Sequence, residues 1–211
     1  MFRSRLACVL LASISVPVLA QEQAQPPAQE PAVPIPAALT AEQIPALPLA
    51  LAERARPYLE SRGAGFAGWD PKARAVLIST RFANVSQLHR VEMPMGARTQ
   101  ISFEAEPVGG NYAPQQGDVL VVRKDRGGDE YFQLYTLADG RLGLLTDGKS
   151  RNNMGAWSAD GQLVGFSSTR RNGADTDLYV MDPRDPKTSR MVAEVKGGGW
   201  FISGFSPDKR T

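Results

Sequence analysis

The sequence predicts an all-β fold built by repetition: an incomplete β-propeller of about three blades plus the start of a fourth, with a short N-terminal helix. Two observations carry this. Aromatic residues recur at matched places, Trp69 and Trp157 lying 88 residues apart, twice 44, with Tyr112 between them and Trp200 beyond. A second landmark keeps step. The leucines of Gln87-Leu88-His89, Gln133-Leu134-Tyr135 and Asp177-Leu178-Tyr179 are spaced 46 and 44 residues apart. A period near 44, with about four short strands per unit, is the pattern of propeller blades.

The elements follow in chain order. Residues 1–20 read as a signal peptide: Arg3 and Arg5 precede an apolar run from Leu6 to Leu19, and Val18-Leu19-Ala20 supplies small residues for cleavage before Gln21. That run is too short to span a bilayer, and no later stretch is long enough. The only cysteine, Cys8, leaves with this segment. The mature chain then has no disulfide, thiolate metal site or cysteine nucleophile. Residues 21–48 are Ala, Pro and Gln with almost no charge, which reads as a disordered linker. A leading helix is expected over 49–64, where Leu49, Leu51, Ala52, Ala55, Tyr58 and Leu59 recur at helical spacing around Pro57. It is either a solvated leader or a helix packed on the edge of the domain that follows.

The partial propeller then occupies 65–211, with blades starting near 69, 112, 157 and 200. Each unit opens with an aromatic residue and a turn: Trp69-Asp70-Pro71, Tyr112-Ala113-Pro114 and Trp157-Ser158-Ala159-Asp160-Gly161. Strands follow at Ala75 to Arg81, Val119 to Arg123 and Leu163 to Arg170. Branched and aromatic residues fill these runs because they pack well on a pleated face, while Asp, Gly and Pro mark the turns. Trp69, Tyr112, Trp157 and Trp200 are expected as wedges between neighbouring blades, each burying a large apolar area. A sandwich would not repeat matching side chains at this interval, and no unit has the long helical periodicity of a helical repeat. Thr211 falls before the first strand of the fourth unit, so the expectation is a fragment of a larger propeller.

Charge excludes little and adds little. The chain carries 24 basic and 22 acidic residues, and without the two signal arginines the balance is 22 to 22. No basic cluster of the kind nucleic acid requires is evident, and no basic amphipathic helix suits a membrane surface. Gly63-Ala64-Gly65-Phe66-Ala67-Gly68 spells a dinucleotide fingerprint, but a helix precedes it and a strand follows, so it reads as linker. Asp175 and Asp177 are two acceptors where calcium wants six or more oxygens, and neither metal nor cofactor is expected.

At Phe205-Ser206-Pro207-Asp208, Trp157-Ser158-Ala159-Asp160-Gly161, Ala174 to Asp182 and Gly127 to Tyr135 the sequence resembles a known family. This is the N-terminal propeller of exported bacterial serine peptidases of the prolyl oligopeptidase family, with their dipeptidyl- and acylaminoacyl-peptidase branches. The resemblance covers roughly Leu49 to Thr211. It implies a propeller that gates peptide substrate into a separate hydrolase domain lying beyond Thr211. Nothing catalytic is expected within this chain. Gly165-Phe166-Ser167-Ser168-Thr169 and Gly204-Phe205-Ser206-Pro207-Asp208 begin like a nucleophile elbow but lack the closing glycine. The only histidine, His89, takes the place of Tyr135 and Tyr179 in the sister units. Substrate-contact candidates are Arg123, Asp129 and Glu130, on a hairpin facing the hydrolase. The Tol-system periplasmic propeller shares the blade openings and the Asp-Leu-Tyr strands. The alternative is therefore a non-enzymatic periplasmic propeller that binds protein partners, and both readings place the protein outside the cytoplasm, periplasmic or secreted.

Overall fold

The structure, a computed structural model, describes residues 30–209. The expected signal peptide, Cys8 and the first part of the expected linker lie outside them. The chain divides into two compact units, Met1–Glu60 and Ser61–Thr211.

In the described part of the first unit, the Pro-rich stretch doubles back on itself. Ala32 bridges Pro48, and the Val33 amide donates to the Leu47 carbonyl at 2.9 Å. Helix α1 spans Leu49–Leu59 and contains Pro57. Pro57 has no amide to donate to the Glu53 carbonyl one turn before it, and the helix ends two residues later. Among the described residues no helix is long and apolar enough to cross a membrane.

The second unit is built from three four-stranded antiparallel sheets. The first runs β1 (Ala64–Asp70), β2 (Ala75–Thr80), β3 (Gln87–Val91), β4 (Thr99–Gln100). The second runs β5 (Gly109–Tyr112), β6 (Leu120–Lys124), β7 (Gln133–Ala138), β8 (Arg141–Leu144). The third runs β9 (Asn152–Trp157), β10 (Val164–Ser168), β11 (Asp177–Asp182), β12 (Asp185–Ala193). Consecutive strands pair in each sheet, as in a propeller blade, and the fold is an all-β incomplete propeller with one short helix.

Register holds across the repeat. Ile78 pairs with His89, Val122 with Tyr135 and Phe166 with Tyr179. The aromatic landmarks close the first strand of each sheet rather than opening the unit: Trp69 lies in β1, Tyr112 ends β5 and Trp157 ends β9. The glycine-rich run after the helix is mostly β1 itself, not linker. Its small residues let the strand lie close to its neighbour, since a Cβ on Gly68 would stand 3.1 Å from that of Asn111. Downstream of β12, residues 194–205 form no strand, although Ala156 of β9 donates to the Ile202 carbonyl at 3.0 Å.

Strand alternation accounts for the core. In β6, Leu120 and Val122 turn toward Leu77 and Leu88 of the first sheet, whereas Val121 turns toward Val164 and Phe166 of the third. The middle sheet is thus sealed on both faces. The repeat also fixes the turns after β1, β5 and β9. At the matching place each has a residue with positive φ: Arg74 at 53°, Gly117 at 59° and Gly161 at 69°, with Lys209 at 58° in the turn that follows Ile202; the second turn has a further one, Gln115 at 64°.

Candidate recognition face

A buried polar bracket begins the third strand of each sheet and sets the loops at one end of the propeller. In the first sheet, the Gln87 Nε2 donates to the carbonyls of Glu104 and Glu106, both at 3.0 Å, while its Oε1 accepts from Ser102 Oγ at 2.7 Å. Gln133 repeats this in the second. Its Nε2 donates to the Ser150 carbonyl at 2.6 Å, and its Oε1 accepts from Thr146 Oγ1 at 2.7 Å and from the Gly148 amide at 3.0 Å. In the third, Asp177 replaces the amide. Its carboxylate accepts from Arg171 Nε at 2.7 Å and from the Val195 amide at 3.0 Å. Hydrogen bonds from Arg171 hold the Asp177 carboxyl below the usual carboxylate range. Sequence reading aligned these positions through the leucine beside each of them but missed what they do. Two glutamines and an aspartate look like ordinary strand polar residues until the loops they hold are seen.

Of the three substrate-contact candidates, Arg123 lies on β6, while Asp129 and Glu130 lie in the loop between β6 and β7. The Arg123 guanidinium lies over the Phe132 ring, 5.0 Å from its centroid. Asp129 fastens its own turn, its Oδ1 accepting from the Tyr131 amide at 2.8 Å and the Arg126 amide at 3.4 Å. Glu130 has φ of 61°, and its amide donates to the buried Asp125 carboxylate at 3.2 Å. At the base of the loop, Lys124 reaches both Glu104 and Glu106 at 2.8 Å. Burial alone would lower the Lys124 pKa, but the hydrogen bonds to these two carboxylates outweigh it and leave it raised.

Two neighbouring loops complete this end. Asp147 ties the loop after β8 through the amides of Lys149 at 3.2 Å and Ser150 at 2.9 Å, and the Ser150 hydroxyl donates to it as well. Arg151 lies over the exposed Tyr131 ring at 5.1 Å. In the loop after β10, the Arg171 fork spans Asp177, Asp175 and Glu194, so the two aspartates are held by a guanidinium. Arg170 stacks on Tyr179, its Cζ 3.7 Å from the ring centroid. A cavity of about 560 Å³ between the first two loops is lined by Tyr131, Tyr135, Leu144 and Lys149 among others. A second of about 300 Å³ runs on toward Arg170 and Arg171, and the two share Tyr131 and Lys149.

The residues weighed for nucleophilic chemistry sit elsewhere. Ser167 is a buried residue of β10, and Ser206 donates to Asp208 in a turn at 2.6 Å. His89 is 1% exposed, with Nδ1 3.1 Å from the Gln87 carbonyl and its ring against Phe82. The four aromatic landmarks differ in burial. Trp157 packs against the core between the second and third sheets and donates from Nε1 to Asn111 Oδ1 at 2.8 Å. Tyr112 is half-buried, whereas Trp69 and Trp200 are 65% and 53% exposed. Trp69 stands on the face of the first sheet turned away from the second, where it meets Phe66 edge to face and lines a cavity with Val76, Ile78 and Val91.

These features define a class: an incomplete β-propeller with a structured loop face. No known protein family's sequence model matches the chain, and no curated protein matches it. Among solved structures it is similar to TolB from Acinetobacter baumannii, at 17% identity over 62% of this chain and 31% of that one, with a TM-score of 0.44. It is also similar to a structure assigned as TolB from Agrobacterium tumefaciens, at 18% identity over 71% and 52% of the two chains, with a TM-score of 0.49. The chain thus spans between about a third and a half of the length of these structures. The resemblance to prolyl oligopeptidase propellers is corrected here. Both of these structures are TolB, which overturns the serine-peptidase, hydrolase and proteolysis assignments, and with them a peptide substrate delivered to a hydrolase domain. Short blade motifs misled because they encode turn and strand geometry common to many propellers and carry no chemistry of their own.

Proposed function

We propose that this chain is the propeller of an exported protein that works by binding protein partners and performs no hydrolysis. The observation that carries the reading is the loop end of the second and third sheets. There, exposed Tyr131 and a set of cationic side chains border a groove whose loops are fixed by buried brackets. Tyrosine and arginine are the side chains that protein interfaces favour, and fixed loops lose little entropy when a partner arrives. The position of His89 supports the same reading, since a sealed imidazole cannot serve as a general base for an incoming substrate. Export rests on the charged, apolar and small-residue pattern of residues 1–20, and periplasmic residence is the finer part of the proposal.

Two experiments test it. A fusion of residues 1–211 to alkaline phosphatase, an enzyme active only after export, is expected to be active in bacterial cells and inactive once residues 1–20 are deleted. Selection of a displayed random-peptide library on the full chain is expected to enrich a displaceable ligand. Failure to enrich any would overturn the partner-binding reading.

A further inference from the structure

We infer that the groove across the second and third sheets binds an extended acidic segment of a protein partner. An apolar side chain of that segment sits against Tyr131, Tyr135 and Leu144, and its carboxylates meet Lys149 and Arg170. This rests on the partner-binding reading and gives it a site and a ligand chemistry.

Charge accounting selects the occupant. The larger cavity contains two carboxylates, Asp125 and Asp129, but both already accept backbone amides, from Glu130 in one case and from Arg126 and Tyr131 in the other. The smaller cavity is lined by Lys149, Arg170 and Arg171 with Ser150, Thr169 and Asn172, and no carboxylate lines it. Arg171 is neutralised from behind by Asp175, Asp177 and Glu194. Arg170 is not. Among the described residues Arg170 makes no ion pair, and Lys149 makes none at contact distance, although the Asp147 carboxylate of its own loop lies near enough to feel its charge. Stacking of Arg170 on Tyr179, with one N–H given to Ser189 Oγ at 3.1 Å, fixes the guanidinium while leaving further in-plane donors. A preoriented guanidinium with open donors suits a carboxylate. Tyr131, which lines both cavities, and Leu144, which lines the larger, are each 48% exposed and form an apolar seat. The cations are few and border apolar surface, which favours a peptide over the longer charged track a nucleic acid backbone requires.

The test uses the full chain and a fluorescein-labelled peptide of one Trp followed by a run of Asp and Glu, read by anisotropy. Binding is expected to weaken with added salt and to drop about tenfold in Lys149→Glu, an exposed substitution with no packing cost. Arg170→Gln and Tyr131→Ala are expected to weaken it by comparable factors. The peptide with Lys in place of Asp and Glu is expected not to bind. The inference is overturned if that Lys peptide or a single-stranded oligonucleotide binds as tightly as the acidic one, or if Lys149→Glu binds undiminished. If the displayed library yields ligands that bind wild type and Lys149→Glu alike, this groove is refuted while partner binding stands. If it yields none, both fall.

Discussion

The two seams between sheets use one apolar code and end differently. Between the first and second sheets, Leu77 and Leu88 pack on Leu120, Val122 and Leu137. Between the second and third, Val121 and Leu134 pack on Val164, Phe166, Tyr179 and Met181. At the end opposite the recognition face the likeness stops. The second seam is closed by Arg184, which meets Asp118 Oδ1 at 2.7 Å and Oδ2 at 2.9 Å and the Gly161 carbonyl at 3.3 Å. The first seam stays open there as a cleft of about 760 Å³, bordered by Asp70, Arg90 and Tyr112. Burial, and next the Asp70 carboxylate, push the Tyr112 phenol upward. The cause lies in one turn. Asp182-Pro183-Arg184 between β11 and β12 presents a long cation, whereas Asp139-Gly140 between β7 and β8 is a tight pair with φ of 50° and 72° and no side chain able to cross. Apolar alternation makes sheets stack; single turn residues decide whether the stack is locked.

If the apolar code is what both seams share, core truncations should be the most damaging changes and should damage both. Phe166 is 1% exposed and stacked on Tyr179, with ring centroids 5.5 Å apart. Phe166→Ala is expected to cost about 3–5 kcal/mol in urea unfolding, and Leu77→Ala about 2–5 kcal/mol. A loss under about 1 kcal/mol in either would mean that its seam is not a packed core.

Next in size comes the contact of turn on turn. A Cβ on Gly161 would fall 2.3 Å from the Pro114 carbonyl oxygen, and one on Gly117 would fall 2.8 Å from the Lys72 amide nitrogen. Both glycines also have positive φ. Gly161→Ala and Gly117→Ala are each expected to cost about 2 kcal/mol or more, with Gly161 the worse because its clash is closer. Equal stability of wild type and Gly161→Ala would show that the seam opens freely at that end.

How much of this was legible in the sequence follows from what kind of residue carries it. The strands and their register were readable because His89, Tyr135 and Tyr179, with Leu88, Leu134 and Leu178 beside them, repeat in kind as well as in spacing. The first strand of each sheet was not: β1 is glycine-rich, β5 is Gly109-Gly110-Asn111-Tyr112, and β9 opens on two asparagines, so none has a strand's usual composition. Such strands are chosen by close approach to neighbours, which no local pattern reports. The candidate site was legible only as a hairpin. Arg123, Asp129 and Glu130 were prominent for charge, but the groove is made by Tyr131, Lys149 and Arg170 from three loops, brought together by Gln133 and Asp177.

The Arg184 lock should have a smaller effect, and one that depends on pH. Arg184→Ala is expected to cost about 1 kcal/mol at neutral pH, since the pair is partly exposed. Hydrogen bonds from Arg184 hold the Asp118 carboxyl below its ordinary value. A carboxylate lowered by folding stabilises above its unfolded pKa, about 3.9, and loses that contribution as pH falls through the lower folded value. Wild type should therefore lose its advantage over Arg184→Ala as pH drops below about 4. An advantage that persists unchanged at the acid end would mean that Arg184 acts by packing, not by its ion pair.

The smallest effect separates the turn of the first sheet from the two that follow it. Arg74 has φ of 53°, a conformation in which a side chain is strained and glycine is not. Gly117 and Gly161 hold the same conformation because a neighbouring turn leaves no room for Cβ, so for them glycine is compulsory on two counts. Arg74 instead borders the cavity beside Trp69, where a side chain is accommodated and strain is the only objection. Relief of that strain is offset in part by the greater freedom glycine gives the unfolded chain. Arg74→Gly is thus expected to raise stability by about 0.5 kcal/mol, seen as a small upward shift of the urea midpoint with unchanged slope. A drop in the midpoint would show that the Arg74 side chain holds a contact worth more than the strain, and that the first turn is restrained as firmly as the other two.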